Sequence, residues 1–285
     1  MAPSMHLALI TDELSDDPAT AFELGRRWEL SHFEIRSAYR WRLPAGPAFA
    51  SERTVAAARA SGAVITGISP GLFKSVTAAD GSTRSVGASD VRSHLDELLP
   101  RSFELARRLG TNRVIVFALP RWAGQDAHGP VPAVVTDALA QAAARAARDG
   151  FLLMLENVPN SWADTIETTL AILQAVDSPA LRLAWDPPNA VRLQPKRDVV
   201  GDGWAALAPY VANVHVKDVA YVDGRERYTL IGDGIVDWRR QLALLAAAGY
   251  AGPVTLETHL QYQDQPGGLV AATEQCLRRL RDLWP

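Results

Sequence analysis

A single cysteine, Cys276, is all that 285 residues contain. An intrachain disulfide is excluded, and so is a zinc or iron–sulfur site built on several thiolates. No G-x-G-x-x-G follows the first apolar run, and no G-x-x-x-x-G-K-[ST] occurs anywhere, which argues against dinucleotide and P-loop phosphate cradles. No apolar run reaches the ~18–20 residues that a spanning helix needs, so no membrane partner is expected. Basic excess is missing too. Lys and Arg number 29 against 32 Asp and Glu, a net charge of −3, whereas nucleic-acid binders usually present a basic footprint. The Met1–His6 segment has neither the basic nor the apolar region of a secretory signal, so a cytoplasmic protein is expected.

Hydrophobic residues make up 48% and charged residues 21%, the balance of a globular chain with a full core. Short β-rich apolar runs recur at His6–Thr11, His32–Ser37, Val64–Pro70, Arg113–Pro120, Phe151–Pro159, Leu181–Asn189, Val211–Asp218 and Gly252–His259. Stretches with helical spacing lie between them. These are Pro18–Trp28, Ser51–Ser61, Ser89–Leu109, Pro132–Arg148, Thr165–Val176, a weak one at Val199–Ala208, Asp237–Ala248 and Gly268–Leu283. Gly62, Gly110, Gly150 and Gly249 stand where helices should stop. Strict alternation implies parallel strands joined by right-handed crossovers. Eight such units predict an α/β fold, a single (β/α)₈ TIM barrel spanning residues 1–285 as one domain. A doubly wound open sheet is the alternative.

Barrels of this kind place their chemistry at the carboxyl ends of the strands. The fifth run ends Glu156-Asn157, the sixth Trp185-Asp186-Pro187-Pro188-Asn189. The seventh carries His215-Val216-Lys217-Asp218, and the eighth ends Glu257-Thr258-His259. Four consecutive strands thus offer a carboxylate or an imidazole at one rim. Glu156, Asp186, His215 and Glu257 form a set of hard oxygen donors plus one nitrogen. It suits one divalent ion, Mn²⁺ first, with Mg²⁺ or Co²⁺ as alternatives and zinc less favoured. Residues two apart on a strand share a face, so Arg36 rises above Glu34, Lys217 above His215 and His259 above Glu257. Arg36, Lys217 and His259 are substrate-binding candidates, and Lys74, after the third strand, can reach inward. Trp41, Trp122 and Trp162 follow strands, and their ring faces would suit a sugar. His6, His32, His94 and His128 carry no such signal.

The strand-end set resembles that of the metal-dependent sugar isomerases and epimerases with a xylose-isomerase-like barrel. That family includes ketose 3-epimerases, hydroxypyruvate isomerases and inosose dehydratases. The likeness runs over nearly the whole chain. It is carried by Leu155-Glu156-Asn157, Trp185-Asp186-Pro187-Pro188-Asn189, Val214-His215-Val216-Lys217-Asp218, Gly232-Asp233-Gly234 and Leu256-Glu257-Thr258-His259. The resemblance implies that Glu156, Asp186, His215 and Glu257 are the metal ligands, and that Glu156 and Glu257 are also the acid–base pair. It places Gly232-Asp233-Gly234 beside the site and implies a homo-oligomer. One departure stands out. Many ketose epimerases carry a substrate-binding histidine three residues after the sixth-strand aspartate, and this chain has Asn189, a further substrate-binding candidate that hydrogen-bonds but carries no proton.

The implied chemistry is proton abstraction next to the carbonyl of a keto-sugar or related small carbohydrate, through a metal-stabilised enediolate. An isomerase or epimerase is the first expectation. A lyase acting at the same site on a 3-keto-glycoside, C-glycoside or inosose is the alternative, and a non-catalytic sugar-binding subunit the third. A related DNA-cleaving barrel with a multi-zinc site is set aside, because it needs more strand-end histidines and a basic face.

Overall fold

Eight parallel strands close on themselves in the computed structural model. They are β1 (His6–Ile10), β2 (His32–Ile35), β3 (Val64–Leu72), β4 (Arg113–Val116), β5 (Leu152–Glu156), β6 (Leu181–Trp185), β7 (Val211–Val216) and β8 (Pro253–Leu256). Each pairs with its neighbours in chain order, and β1 closes the barrel against β8, so that Leu9 lies opposite both Phe33 and Leu256. The structure describes residues 4–74, 76–77, 83–84, 88–121, 125–126, 129–191, 198–201, 203–260 and 267–285. Trp122 and His128 lie outside these.

All eight expected runs are barrel strands, several of them shorter at the carboxyl end. The sixth shows why: it stops at Trp185, and Pro187–Val191 coils into a short helix. Proline has no N–H to give to a ladder and suits a first helical turn. The helices Pro18–Arg27, Ala48–Ser61, Ala133–Asp149, Ile166–Val176, Trp238–Ala247 and Gly268–Asp282 fall where the periodicity places them. The expected helix Ser89–Leu109 is in fact three pieces. Ala88–Ser93 and Leu99–Arg108 flank a π-helical stretch at His94–Leu98. Pro100, at the start of the third piece, removes an N–H from the α-ladder, and a wider turn absorbs the misfit. Val199–Ala208 shrinks to Trp204–Leu207 followed by a 3₁₀ turn at Ala208–Tyr210, which contains Pro209. Gly62, Gly110, Gly150 and Gly249 all have left-handed φ, as expected of helix ends.

The main core lies between barrel and helices. The helix Ala133–Asp149 shows the pattern, burying Val135, Ala138, Leu139, Ala142, Ala143 and Ala146 along one stripe. A smaller cluster of Ile115, Phe117, Met154, Ala184 and Ala212 fills the barrel interior. Glu156 lies two residues beyond Met154 on the same face, so it stands directly above this plug. Hairpins not read from the sequence follow the barrel strands. The first pairs Ser37–Ala38 with Trp41–Arg42, the second Asp218–Val222 with Arg225–Thr229, and a shorter one pairs Val76–Thr77 with Thr83–Arg84. Among the described residues no helix is long and apolar enough to cross a membrane.

Candidate active site

Glu156, Asp186, His215 and Glu257 come from β5 to β8 or the residue just beyond, and converge at the carboxyl rim. Their donor atoms all lie within 4.8 Å of one another. The four are only 5%, 0%, 1% and 4% exposed. Each motif supplies its own scaffolding. The Asn157 side chain clamps the Asp186 backbone, accepting its N–H and donating to its carbonyl, both at 2.8 Å. Asn189 donates its side-chain amide to the Asn157 carbonyl at 2.9 Å and its backbone N–H to Asp186 Oδ1 at 3.3 Å. The two motifs therefore lock each other, and Asn189 is engaged in holding Asp186.

His215 is oriented from behind. Its Nε2 lies 3.2 Å from Glu34 Oε2, and Asn213 donates to the same oxygen at 2.8 Å. A carboxylate there fixes the proton on Nε2 and leaves Nδ1 as the ligand atom. Nδ1 is buried without a hydrogen-bond partner, 3.4 Å from Glu257 and 3.8 Å from Glu156. A buried imidazole nitrogen facing carboxylates, with its other nitrogen held by a carboxylate, is the arrangement a divalent ion requires. The donor set fits such an ion.

A second group of charges surrounds Glu257. Arg36 donates Nη1 to Glu257 Oε1 at 2.5 Å, Nη2 to Glu13 Oε1 at 2.8 Å and Nε to Asp12 Oδ2 at 2.9 Å. Glu13 also accepts from the Thr258 hydroxyl and the His259 backbone, at 2.7 and 2.9 Å. The Lys217 ammonium bonds Asp186 Oδ2 and lies 3.3 Å from Glu257 Oε2. Burial works against charge on Lys217, yet Asp186, Glu257 and Glu156 outweigh it and hold it above the ordinary lysine range. Burial likewise opposes ionisation of Glu257, but Lys217, with His215 and Arg36 behind it, keeps that carboxyl well below the usual range. Burial also opposes ionisation of Glu156; the nearby His215 imidazole, helped by Lys74, outweighs it and holds the group below its ordinary value.

The structure thus brings Arg36, Lys217 and His259 to the rim, as alternation implied. Arg36 and Lys217 are bonded to carboxylates there. Burial pushes the His259 imidazole down to about 3, so it is neutral at ordinary pH. Its Nε2 is 3.4 Å from Glu257, and its ring lies 5.0 Å from that of Tyr228 on the second hairpin. Lys74 stands 4.6 Å above the Phe117 ring. Trp162 is buried in the core and offers no face to a sugar, while Trp41 is half exposed on the first hairpin. Asp218 gathers the Gly232-Asp233-Gly234 loop by accepting the N–H groups of Gly232 and Gly234 at 2.9 and 3.2 Å. A Cβ at Gly234 would run into the Asp218 carboxylate. Asp12, Glu13 and the Glu34–His215 pairing are absent from the sequence-derived site. Asp12 and Glu13 follow the first apolar run directly, so the strand-end rule covers them.

A family model, the xylose isomerase-like TIM barrel, matches residues 18–282. The chain belongs to that family. No curated protein sequence matches it significantly. Among solved structures it is similar to D-allulose 3-epimerase from Methylomonas sp., with a TM-score of 0.72 and 17% identity, covering 99% of this chain and 98% of that one. It is similar to 3-keto-D-glucoside 4-epimerase from E. coli, with a TM-score of 0.71, 17% identity and coverage of 98% and 100%. It is also similar to a probable 3-DHS dehydratase from Bacillus anthracis, with a TM-score of 0.67, 19% identity and coverage of 95% and 98%. At these identities the likeness establishes the fold.

Proposed function

We propose that the protein is a divalent-metal-dependent isomerase or epimerase of a keto-sugar or related small carbohydrate, working by proton abstraction next to the carbonyl. The observation that carries this reading is the convergence of Glu156, Asp186, His215 and Glu257 within 4.8 Å, with His215 Nδ1 buried and unbonded. A divalent ion held by these four residues would polarise the substrate carbonyl and stabilise negative charge on oxygen; Mn²⁺ suits the donors best. The protein's own groups divide the remaining work. Glu156 is an ionised carboxylate above the apolar plug and takes the proton. For an epimerase Glu257 returns one to the other face after drawing it from solvent, since Lys217 and Arg36 keep the carboxyl ionised until then. Lys217 and Arg36 hold Glu257 in place, and Glu34 fixes the imidazole of His215. Positioned acid–base groups contribute roughly 10²–10⁴-fold in rate.

A second reading, elimination by a lyase, draws support from the inequality of the two glutamates. Glu257 is bound by Arg36 and Lys217, which depresses its readiness to accept a proton. A single strong base with a cation nearby is the natural equipment for expelling a β-leaving group. Turnover of a keto-sugar panel by metal-loaded protein in D₂O separates the two. Deuterium at carbon without loss of a group supports the isomerase, and release of water or an aglycone supports the lyase. A protein that binds no divalent ion and exchanges no carbon-bound hydrogen overturns both.

A further inference from the structure

The cations at the rim are of two kinds. Arg36 and Lys217 are bonded to carboxylates. Lys74 and Arg42 are not. Among the described residues the Arg42 guanidinium donates only to Ser69, from Nε to the carbonyl at 2.8 Å and from Nη2 to the hydroxyl at 2.7 Å. Among the described residues no carboxylate lies within ion-pair distance of either side chain. Both approach one ring: Lys74 Nζ lies 4.6 Å and the Arg42 guanidinium carbon 5.9 Å from the centroid of Phe117. Phe117 tops the plug inside the barrel, the same plug on which Glu156 stands. Both cations therefore face the mouth that holds the ligand set. Burial disfavours the Lys74 ammonium; Glu156, beyond bonding distance, offsets this in part, and Arg42 acts against it, so the two cations repel each other.

The chain segment that carries Lys74 is built at a cost. Phe73 is held in the left-handed region at φ 63°, where a bulky side chain is strained. Its N–H donates to His94 Nδ1 at 2.8 Å, and the two rings stack with centroids 5.6 Å apart. His94 begins the π-helical stretch, a distortion that often marks functional positions. Gly71 has φ 80°, and a Cβ there would come within 3.1 Å of Arg42 Nε, so the turn and Arg42 fit together. Strain, a π-helical stretch and a hydrogen-bonded histidine all serve to aim one lysine over an aromatic ring beside a second cation.

We infer that Lys74 and Arg42, above Phe117, form an anion subsite, and that the substrate is an acidic carbohydrate whose carboxylate or phosphate they receive while its carbonyl end lies at the ligand set. This rests on the carbohydrate reading above. An anion between two cations with no carboxylate partner relieves their repulsion, and a charge-assisted hydrogen bond is among the stronger polar contacts.

Three probes of one skeleton test it by calorimetric titration: D-glucitol, D-gluconate and D-glucitol 6-phosphate. They are applied to wild type, Lys74→Met, Lys74→Arg and Arg42→Gln, each with and without Mn²⁺. In wild type at least one anion should bind roughly tenfold or more tighter than glucitol, and the one that does so names the charged group. Lys74→Met should erase that preference while Mn²⁺ and glucitol still bind. Lys74→Arg should keep most of it, and Arg42→Gln should weaken it. Equal binding of all three probes, or no binding of any, overturns the subsite. So does an anion preference that survives in both Lys74→Met and Arg42→Gln, because the metal centre is then the receptor. Absence of Mn²⁺ binding overturns the proposed function instead, and the metal-free titrations still report on the subsite.

Discussion

On the β6, β7, β8 and β1 side of the barrel mouth, the cations and carboxylates are bonded to one another: Lys217 to Asp186, and Arg36 to Asp12, Glu13 and Glu257. On the side formed by the first hairpin, β3, β4 and β5, Arg42, Lys74 and Glu156 have no such charged partners at bonding distance beyond His215. The two sides share one rim but differ in bonding and in exposure: Arg36 and Lys217 are buried, whereas Arg42 and Lys74 are half-buried. The closed network is a scaffold: it pins Glu257 and, through Glu34, His215. The open side retains charges whose bonding capacity is unspent, and such charges act on a ligand. Glu156 sits at the seam, supported by His215 from the closed side and approached by Lys74 from the open one.

The largest effect that can break this comparison is kinetic. Glu156→Gln keeps an oxygen that ligates and removes the basic carboxylate. Turnover should fall on the order of 10²–10⁴-fold, with metal retained by elemental analysis and no rescue by added metal. Glu257→Gln should also lose metal affinity, because it removes the charge that Arg36 and Lys217 share and puts an amide N–H₂ against one of these two cations. Near-normal turnover of Glu156→Gln in excess metal would make Glu156 a ligand only. The base would then lie on the closed side, with the neutral His259 ahead of Lys217, which its carboxylate partners hold protonated.

Stability sharpens the contrast next. Arg36→Met takes the cation from two buried carboxylates, Glu13 and Glu257, and from the half-buried Asp12, and removing one partner of a buried ion network costs about 3–5 kcal/mol. Lys74→Met breaks no ion pair, so its cost should stay below about 1 kcal/mol. Urea unfolding of both variants checks this, and equal losses would show that the open side is as structural as the closed one. A smaller effect is expected at Glu34, which touches no ligand position except through His215. Glu34→Gln should weaken metal binding roughly 10–100-fold, read by competition with a chelator, with the fold intact.

How far these features were legible depends on distance along the chain. The strands and helices follow from local periodicity, and the ligand positions from polar residues that end apolar runs. Ala133–Asp149 and Leu152–Glu156 needed nothing beyond their own sequence. The closed network is different. Arg36 and Glu257 are 221 residues apart, and Glu34 and His215 181. Only barrel closure of β1 against β8 and the filling of the interior bring them together, and no local pattern records that. The inward face of Arg36 was readable, while its partners were not. The second hairpin was legible and overlooked: Asp223-Gly224 is a two-residue turn signal between β-rich segments, and both residues adopt positive φ. The split of the helix near residue 94 was signalled only by Pro100, which marks a break without indicating a π-helical turn.

The smallest effect lies at the base of the open side and depends on pH. His94 accepts the Phe73 N–H through Nδ1, which a protonated imidazole cannot do. Burial holds its pKa below the ordinary histidine value, with Asp90 pulling the other way. The sign follows from linkage. The unfolded chain protonates His94 near pH 6.5 and the folded chain only at lower pH, so the contribution to stability is complete above about 6.5. It declines as pH falls from there through the folded value, because the unfolded state then binds more protons. His6 and His32 are shifted the same way by burial, so wild type alone cannot isolate the effect. His94→Asn retains an acceptor near the position of Nδ1 and carries no proton. Urea midpoints at pH 7.5 and 5.5 should therefore fall further in wild type than in His94→Asn. Equal falls would show that His94 does not hold the Phe73 turn as a neutral acceptor, and the support beneath Lys74 would have to come from Gly71 and Arg42 alone.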